Sequence, residues 1–143
     1  MEETRSIHEL AYFNLLKTGS WIEEQIKAAL RPLGLTHAQL NALYILSEED
    51  PEPVSASDIK AKILVSNPDV TRLLDRLVKK EYVLRETCPE NRRKIDISLT
   101  DSGRELFMEA HRSVKESLGN FFKNQITENE ASELRKLMKK IRR

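Results

Sequence analysis

The sequence of 143 residues contains little of what builds disulfide-rich, loop-rich or membrane-spanning proteins. Its one cysteine, Cys88, excludes an intrachain disulfide and is typical of a reducing compartment. Four glycines and five prolines are few for this length, which favours long helices over an all-β fold. No apolar run approaches the roughly 20 residues that a membrane span needs, and the polar N-terminus, MEETRSIHEL, is not a secretory signal. We therefore expect a cytoplasmic protein without a membrane partner.

The chain also lacks a large excess of either charge. It has 24 lysines and arginines against 23 acidic residues, a formal net charge of +1. Nucleic-acid binding would therefore need a local basic surface. Glycine is too scarce for a phosphate-cradling loop and no catalytic motif is present, so we do not expect an enzyme. The length and the hydrophobic content of 39% indicate one ordinary domain with a buried core.

Apolar residues at helical spacing predict that most of the chain is α-helical. The first helix runs from about residue 6 to 30 and ends before Arg31-Pro32, because the residue before a proline disfavours the α region. Thr36 with Gln39 forms a capping box that predicts the start of a second helix. The side chains expected to point inward from that helix are Leu40, Leu43, Tyr44 and Leu46.

Two short helices with a brief connection follow and indicate a helix-turn-helix. The pattern Ser55–Asp58 opens the first, and Ser66 with Pro68 and Asp69 opens the second. The second helix carries an apolar stripe at the i, i+3, i+4, i+7, i+8 positions. This stripe consists of Val70, Leu73, Leu74, Leu77 and Val78. The opposite face is expected to expose Asn67, Asp69, Thr71, Arg72, Asp75, Arg76 and Lys79.

A β-hairpin is predicted directly after this helix, with residues 82–85 and 94–99 as its strands. The connection, CPENRRK, gathers positive charge at the tip of the hairpin. Thr100 then caps a long helix from Asp101 to about Lys123, and a capping box at Thr127 opens a last helix.

This order of elements predicts an interface with double-stranded DNA. A recognition helix packs one face on its domain and presents short polar and basic groups to the major groove, where residues near the helix start reach bases most readily. A neighbouring hairpin lies beside the minor groove, which attracts arginine. The base-reading candidates are Ser66, Asn67, Asp69, Thr71 and Arg72. Arg76 is expected at phosphates, and the tip residues Arg92, Arg93 and Lys94 at the minor groove.

The stretch VSNPDVTRLLDRLVKKEYVLRETCPENRRKIDISLTDSG resembles the MarR family of bacterial transcription regulators. That family carries a recognition helix of the form S-x-x-x-V-T-R-L-L-D-R-L and a wing of the form D-x-R-x-x-x-[aliphatic]-x-L-T-x-x-G. The segment GLTHAQLNALYIL is similar to the family's second helix. Two positions depart from the pattern: Asn91 stands where the family has a wing aspartate that braces the wing arginine, and Glu81 stands where a glycine usually follows the recognition helix.

The resemblance implies a mainly α (α+β) fold, a winged helix-turn-helix with flanking N- and C-terminal dimerisation helices. We assign one domain, 1–143, with the DNA-binding lobe at 36–100 and the dimerisation helices at 1–34 and 104–143. Surplus apolar residues in both flanking segments independently favour a homodimer. The resemblance further implies a repressor that binds a pseudo-palindromic operator and is released by a small aromatic or lipophilic ligand. The candidate pocket residues are Tyr12, Trp21, Tyr44, Phe107 and His111.

Two alternatives remain open at the level of the sequence. The low net charge favours a winged-helix adaptor that binds protein and not DNA, whereas the basic tip argues against it. Cys88 could make the chain an oxidant sensor, if nearby arginines lower the pKa of the thiol. We expect no metal and no cofactor, because His8, His37 and His111 are far apart and lack ligand spacing.

Overall fold

The computed structural model describes residues 4–64 and 69–143, which form seven α-helices and three short strands within those ranges. The helices are α1 (Ile7–Leu30), α2 (His37–Glu49), α3 (Ala56–Lys62), α4 (Val70–Lys79), α5 (Asp101–Val114), α6 (Asn120–Gln125) and α7 (Glu128–Ile141). The strands are β1 (Val54–Ser55), β2 (Val83–Thr87) and β3 (Ile95–Leu99). A 3-10 turn, Arg31–Leu33, follows α1, and a π-helical turn, Lys115–Gly119, joins α5 to α6.

Four of the helices begin at side-chain caps that the sequence predicted. The Thr36 and Thr127 capping boxes are both formed, and Ser55 and Thr100 cap α3 and α5. Each cap satisfies a backbone N–H that has no partner within its helix. A further box, which the sequence reading did not include, pairs Ser6 with Glu9 and opens α1.

The core lies between α2, α3, α4 and the sheet. The apolar residues packed there include Leu43, Leu46, Ile59, Leu77 and Ile97, each nearly or fully buried. The strands run antiparallel in the order β1-β3-β2. The helix-turn-helix elements followed by this hairpin make a winged helix-turn-helix, as predicted. The sequence did not reveal β1, because two residues are too few to show alternation.

The prediction that Tyr44 points inward is wrong. Leu43 and Leu46 are buried and Leu40 is half-buried, but Tyr44 is 42% exposed. At about 100° per residue, the buried residues Asn41, Ala42, Leu43, Ile45 and Leu46 lie on one side of α2, and Tyr44 falls on the opposite side. Tyr44 instead contacts aromatic rings of α5 at the surface.

Gly103 allows the start of α5 to approach the segment that follows α4. A Cβ atom at this position would lie 1.9 Å from the backbone oxygen of Tyr82. The same oxygen accepts a hydrogen bond from the Thr100 N–H at 3.1 Å. A side chain at 103 would therefore push α5 away from the base of the hairpin, which explains physically why glycine suits this position.

The two ends of the chain leave a large apolar surface uncovered. On α1 and α7, exposed apolar side chains include Ile7, Leu10, Leu16, Leu134, Leu137 and Ile141. An apolar groove of about 390 Å³ runs between α6 and α7 and is lined by residues such as Phe122, Ile126 and Met138.

In the part of the chain that the structure describes, no helix is long and apolar enough to cross a membrane.

Candidate nucleic-acid interface

Helix α4 has the two faces that its sequence predicted. Val70, Leu73, Leu74 and Leu77 are buried against the core and Val78 is half-buried. The opposite face exposes Thr71, Arg72, Asp75, Arg76 and Lys79 to solvent. Three of these side chains are cationic, so α4 presents polar and mainly basic groups on a helix held firmly from behind.

The start of α4 differs from the prediction. The helix begins at Val70, and Asp69 is its N-cap: Oδ1 of Asp69 accepts a hydrogen bond from the Arg72 N–H at 3.1 Å. A carboxylate that caps a helix stabilises the positive end of the helix dipole. Because one oxygen of Asp69 accepts this hydrogen bond, only the other is free to accept one from a DNA base. The predicted base-reading residues Ser66 and Asn67, and the predicted cap at Ser66, lie outside the described residues.

The turn at the end of α4 forms although Glu81 stands where the family usually has a glycine. Glu81 has a φ of 62°, in the left-handed region. The Glu81 N–H donates to the Val78 oxygen at 2.9 Å, and the Tyr82 N–H donates to the Leu77 oxygen at 3.0 Å. This is the Schellman arrangement, which normally places glycine at the left-handed position. The turn thus keeps its geometry, with Glu81 in a strained conformation.

An ion pair connects the exposed face of α4 to the wing, which we define as residues 83–99. The Arg85 guanidinium on β2 lies 2.6 Å from Oδ1 of Asp75 on α4. Their side chains are 33% and 56% exposed, so water screens the pair. The contact shows that the outer surfaces of α4 and β2 adjoin, and it engages one acidic side chain of the helix surface.

The wing tip is held by its own backbone. Across its base, the Cys88 N–H donates to the Lys94 oxygen and the Lys94 N–H donates to the Asn91 oxygen, both at 2.9 Å. The Asn91 side chain accepts from the backbone N–H of Arg93 at 3.1 Å. Asn91 therefore braces the loop backbone and leaves the Arg93 guanidinium its full charge. Arg92, Arg93 and Lys94 are all exposed.

The strands under this tip anchor it to the core. Ile97 and Leu99 on β3 are buried, while Ile95, nearest to the tip, is 44% exposed. The predicted alternation of buried and exposed residues therefore holds at the base of the wing and ends towards the tip.

A small cleft of about 170 Å³ separates α4 from the start of α2, and Arg72 and Arg76 line it together with Thr36 and Gln39.

The aromatic residues proposed for a ligand pocket fall into three groups. Tyr44, Phe107 and His111 contact one another, with ring centroids 5.5 to 6.3 Å apart. Trp21 packs on Phe121 at 5.0 Å, and Tyr12 packs on Phe13 at 4.6 Å. Tyr12 and Trp21 lie nine residues apart on α1, about 13 Å along the helix. The five residues therefore do not line one common pocket. Glu48 raises the pKa of Tyr44 by a hydrogen bond and by its charge.

A larger cavity, which the sequence reading missed, lies between α1 and the start of α2. Its volume is about 630 Å³, and its lining consists of Leu15, Leu16, Gly19, Ser20, Glu23, Glu24, Lys27, His37 and Leu64. Nδ1 of His37 lies 2.7 Å from Oε2 of Glu23. No local pattern could have indicated this cavity, because its walls come from three separate segments.

The remaining reactive side chains are dispersed. His37 pairs with Glu23, His111 stacks on Tyr44, and His8 is exposed at the start of α1. Among residues 4–64 and 69–143, no three His, Cys, Asp or Glu side chains come together as a metal site. Cys88 is half-buried at the base of the wing tip.

Comparison with known proteins points to one family. The model of the MarR family matches residues 35–95, which include α2, α3, α4 and most of the wing. The multiple antibiotic resistance protein MarR of Escherichia coli K12 is 30% identical over 112 residues, which cover 78% of this chain and 76% of that protein. The regulator PapX of Escherichia coli is 37% identical over 70 residues, which cover 49% of this chain and only 43% of PapX.

Solved structures share the fold over nearly the whole chain. A crystal structure of a MarR mutant from Escherichia coli in complex with operator DNA has a TM-score of 0.79 at 25% identity. The comparison covers 96% of this chain and 99% of that one. The similarity therefore extends from the winged lobe to the helices at both ends.

Proposed function

Because this chain belongs to the MarR family, whose members are transcription regulators and not enzymes, we propose that it represses transcription as a homodimer bound to a pseudo-palindromic DNA operator. The observation that carries this proposal is the presence of exposed cations on two adjoining elements, α4 and the wing. The exposed face of α4 and the wing adjoin at the Asp75–Arg85 pair. The tip of the wing carries three consecutive exposed cations, Arg92, Arg93 and Lys94.

The proposed roles follow from the position of each group. Thr71 and Arg72, near the start of α4, would contact base edges in the major groove, and Ser66 and Asn67 join them on the strength of the sequence. Arg76, one turn further along α4, would contact phosphate. Asp69 would act mainly as the cap that orients these residues. Arg92, Arg93 and Lys94 would contact the neighbouring minor groove.

The proposed dimer is supported by the apolar surface of α1, α6 and α7. Large exposed apolar patches on a protein often mark protein–protein interfaces, and many apolar side chains of these helices are exposed. We propose that residues 1–34 and 104–143 form the dimer and that residues 36–100 form the DNA-binding lobe, all within one domain. Two lobes related by twofold symmetry would place their recognition helices in successive major grooves, about one helical turn apart.

The proposed effector is a small aromatic or lipophilic ligand. The cavity between α1 and α2 supports this better than the predicted aromatic residues do. Leu15, Leu16 and Leu64 offer apolar contacts, and the pairs Glu23–His37 and Glu24–Lys27 add polar groups to the lining. The cavity lies between a proposed dimerisation helix and the lobe, so an occupant could change the spacing of the two lobes. A protein that acts on operator DNA in this way would work in the cytoplasm.

The test compares binding to two DNA duplexes at several salt concentrations. One duplex is selected from a random library by the wild-type protein, and the other has the same bases scrambled. Arg93→Ala should weaken binding to both and reduce the salt slope by about one unit per lost contact per subunit. Arg72→Ala should cost about 1–3 kcal/mol on the selected duplex and little on the scrambled one.

A matched control and a clear negative outcome complete this test. Lys140→Ala removes a cation from α7, outside the proposed interface, and should change neither titration. A wild-type protein that binds no duplex, at low or physiological salt, would contradict the proposal and favour the protein-binding adaptor. Binding that depends on the oxidation of Cys88, and is lost in Cys88→Ser, would favour the oxidant sensor.

A further inference from the structure

One pair of polar side chains connects α1 to the start of α2. Nδ1 of His37, the first residue of α2, lies 2.7 Å from Oε2 of Glu23 in the second half of α1. Across α1 and α2, both of which the structure describes in full, this is the only ion pair or side-chain hydrogen bond that joins the two helices. The pair therefore links a proposed dimerisation helix to the proposed DNA-binding lobe.

The pair meets α1 well away from the point where that helix enters the core. Leu30, the last residue of α1, is fully buried. Glu23 lies seven residues earlier, which is two turns and about 10 Å along the helix. Between these two residues and the start of the chain, α1 packs on the C-terminal helices, since Trp21 contacts Phe121 of α6 with ring centroids 5.0 Å apart. Glu23 and Leu30 are therefore two separate points that together define the angle between α1 and the lobe.

Open cavities adjoin the pair in both directions along α1. The cavity of about 630 Å³ extends from the pair towards Leu15, and a second cavity of about 440 Å³ extends from it towards Arg31 and Leu35. Glu23 and His37 line both cavities. The space around the pair is not filled by packed side chains, so the pair itself sets the separation of the two helices at this point.

We propose that Glu23 and His37 are positioning residues for operator spacing, because they fix the angle between the proposed dimerisation helices and the DNA-binding lobe. This inference rests on the proposed function, since it needs α1 in the dimer and α4 on DNA. A change in the angle would shift α4 relative to the twofold axis in each protomer. The separation of two recognition helices must match the separation of the half-sites, so a looser angle should accept more half-site spacings.

Loss of the pair should affect operator spacing more than folding. The Glu23 and His37 side chains are 38% and 26% exposed, so water screens the pair and solvates either group when the other is removed. The melting temperature should therefore change little in Glu23→Ala or His37→Ala. The wild-type protein should prefer the selected duplex over duplexes with one or two base pairs inserted between the half-sites. We expect this preference to narrow about three- to tenfold in the variants, because a dimer loses two ion pairs of ordinary surface strength.

The DNA experiment uses the full chain and a matched acidic control. Glu23→Ala, His37→Ala and the double variant should narrow the spacing preference to the same extent, because each removes the same contact. The exchanged pair, Glu23→His with His37→Glu, should recover part of the preference, and glutamate is favoured in the first turn of a helix. Glu24→Ala removes the neighbouring carboxylate, which contacts Lys27 on its own helix at 3.4 Å, and should leave the preference unchanged.

A distance measurement tests the angle without DNA. Lys17→Cys on α1 and Lys60→Cys on α3, both at exposed positions, carry spin labels in a Cys88→Ser background. Labelled chains are diluted with excess unlabelled protein, so that pulsed EPR reports the distance within one chain whether or not the protein dimerises. Glu23→Ala should broaden the distribution of this distance, and Glu24→Ala should not.

The outcomes separate this inference from the function on which it rests. Equal distance distributions in the wild-type protein and Glu23→Ala would overturn it. A broader distribution with an unchanged spacing preference would show that the pair has no part in operator choice, and an equal effect of Glu24→Ala would indicate a general effect of charge. If the wild-type protein binds no duplex, the proposed function fails and the role in operator spacing fails with it. A broader distribution in Glu23→Ala would then still establish that the pair fixes the angle of α1.

Discussion

At the scale of single residues, the turn after α4 combines strain with close packing. Glu81 adopts a left-handed conformation that side chains other than that of glycine disfavour. Its backbone oxygen accepts from Thr100 Oγ1 at 2.6 Å and from Ser102 Oγ at 3.0 Å. Gly103 completes the same junction by leaving room for the Tyr82 oxygen. Contacts from α5 therefore hold Glu81 in a conformation that its own side chain opposes.

Replacing this residue by glycine should stabilise the protein. Glu81→Gly relieves the left-handed strain and keeps the backbone hydrogen bonds, and we expect a gain of about 1 kcal/mol in the free energy of unfolding. Urea denaturation measures the change. Lys80→Gly is the matched control: Lys80 has a φ of −83°, so glycine there relieves nothing and should destabilise slightly. A similar gain in both variants would contradict the role of strain.

At the scale of elements, pairs of charged side chains join separate helices and strands. Asp75 and Arg85 join α4 to the wing. Arg104 on α5 donates from Nε and Nη2 to the two carboxylate oxygens of Asp50, at 2.6 and 2.8 Å, and from Nη1 to Asp101. The first pair orients the proposed reading surface, and the second holds the end of α2 against the start of α5.

The pair between α4 and the wing should contribute little to stability and more to DNA affinity. Both side chains are partly exposed, so a double-mutant cycle with Asp75→Ala and Arg85→Ala should give a coupling below about 1 kcal/mol. Each single variant should lower affinity for the selected duplex, because the wing loses its contact with α4. The exchanged pair, Asp75→Arg with Arg85→Asp, should recover part of that affinity. No recovery would indicate that either side chain acts directly on DNA.

The pair between α2 and α5 should make stability depend on pH in acid. The hydrogen bonds from Arg104, followed by its positive charge, hold the pKa of Asp50 below its ordinary value of 3.8. A lowered pKa in the folded state means that the contribution is complete above about pH 4 and is lost as the pH falls through and below that value. Asp50→Asn should therefore lower stability at neutral pH and flatten the acid limb of the stability curve.

Chemical denaturation between pH 2 and 7 measures this dependence. Asp101→Asn is the matched control, since Asp101 contacts the same guanidinium but is fully exposed. It should change the curve less than Asp50→Asn does. Equal curves for the two variants would contradict a special contribution from Asp50.

At the scale of the whole molecule, the exposed apolar surface predicts assembly. Leu134, Leu137 and Ile141 on α7 are 40%, 53% and 63% exposed, and Ile7 on α1 is 73% exposed. In a lone chain all of this surface would face water. Its location at both ends of the chain, away from α4 and the wing tip, would leave the proposed reading surface free in the assembled protein.

Light scattering at micromolar concentration should therefore give about twice the chain mass of 16.6 kDa. Leu137→Ser should shift the equilibrium towards the monomer by removing apolar surface from the interface. Lys136→Ser, at the neighbouring position, should not, because Lys136 is 71% exposed and paired with Glu133 on its own helix. A stable, well-folded wild-type monomer would contradict the proposed dimer.

Local patterns in the sequence were sufficient to predict the helices, four of their caps and the hairpin. The capping residues Thr36, Ser55, Thr100 and Thr127 act on backbone groups within three residues of themselves. The stripe of α4 repeats every three or four residues. Such patterns can be identified from the local sequence without the tertiary structure. The exposed cations of the helix and of the wing tip could be predicted for the same reason.

Only the tertiary structure decided which distant groups meet. Asn41 reaches Leu64 across 23 residues, and Arg104 reaches Asp50 across 54. β1 forms because it pairs with the edge of β3. The five aromatic candidates lie in three groups because of how α1, α2 and α5 pack, which local spacing does not reveal. Glu81 keeps its conformation because α5 holds it. Each of these features depends on the relative placement of whole elements, which local spacing and propensity do not encode.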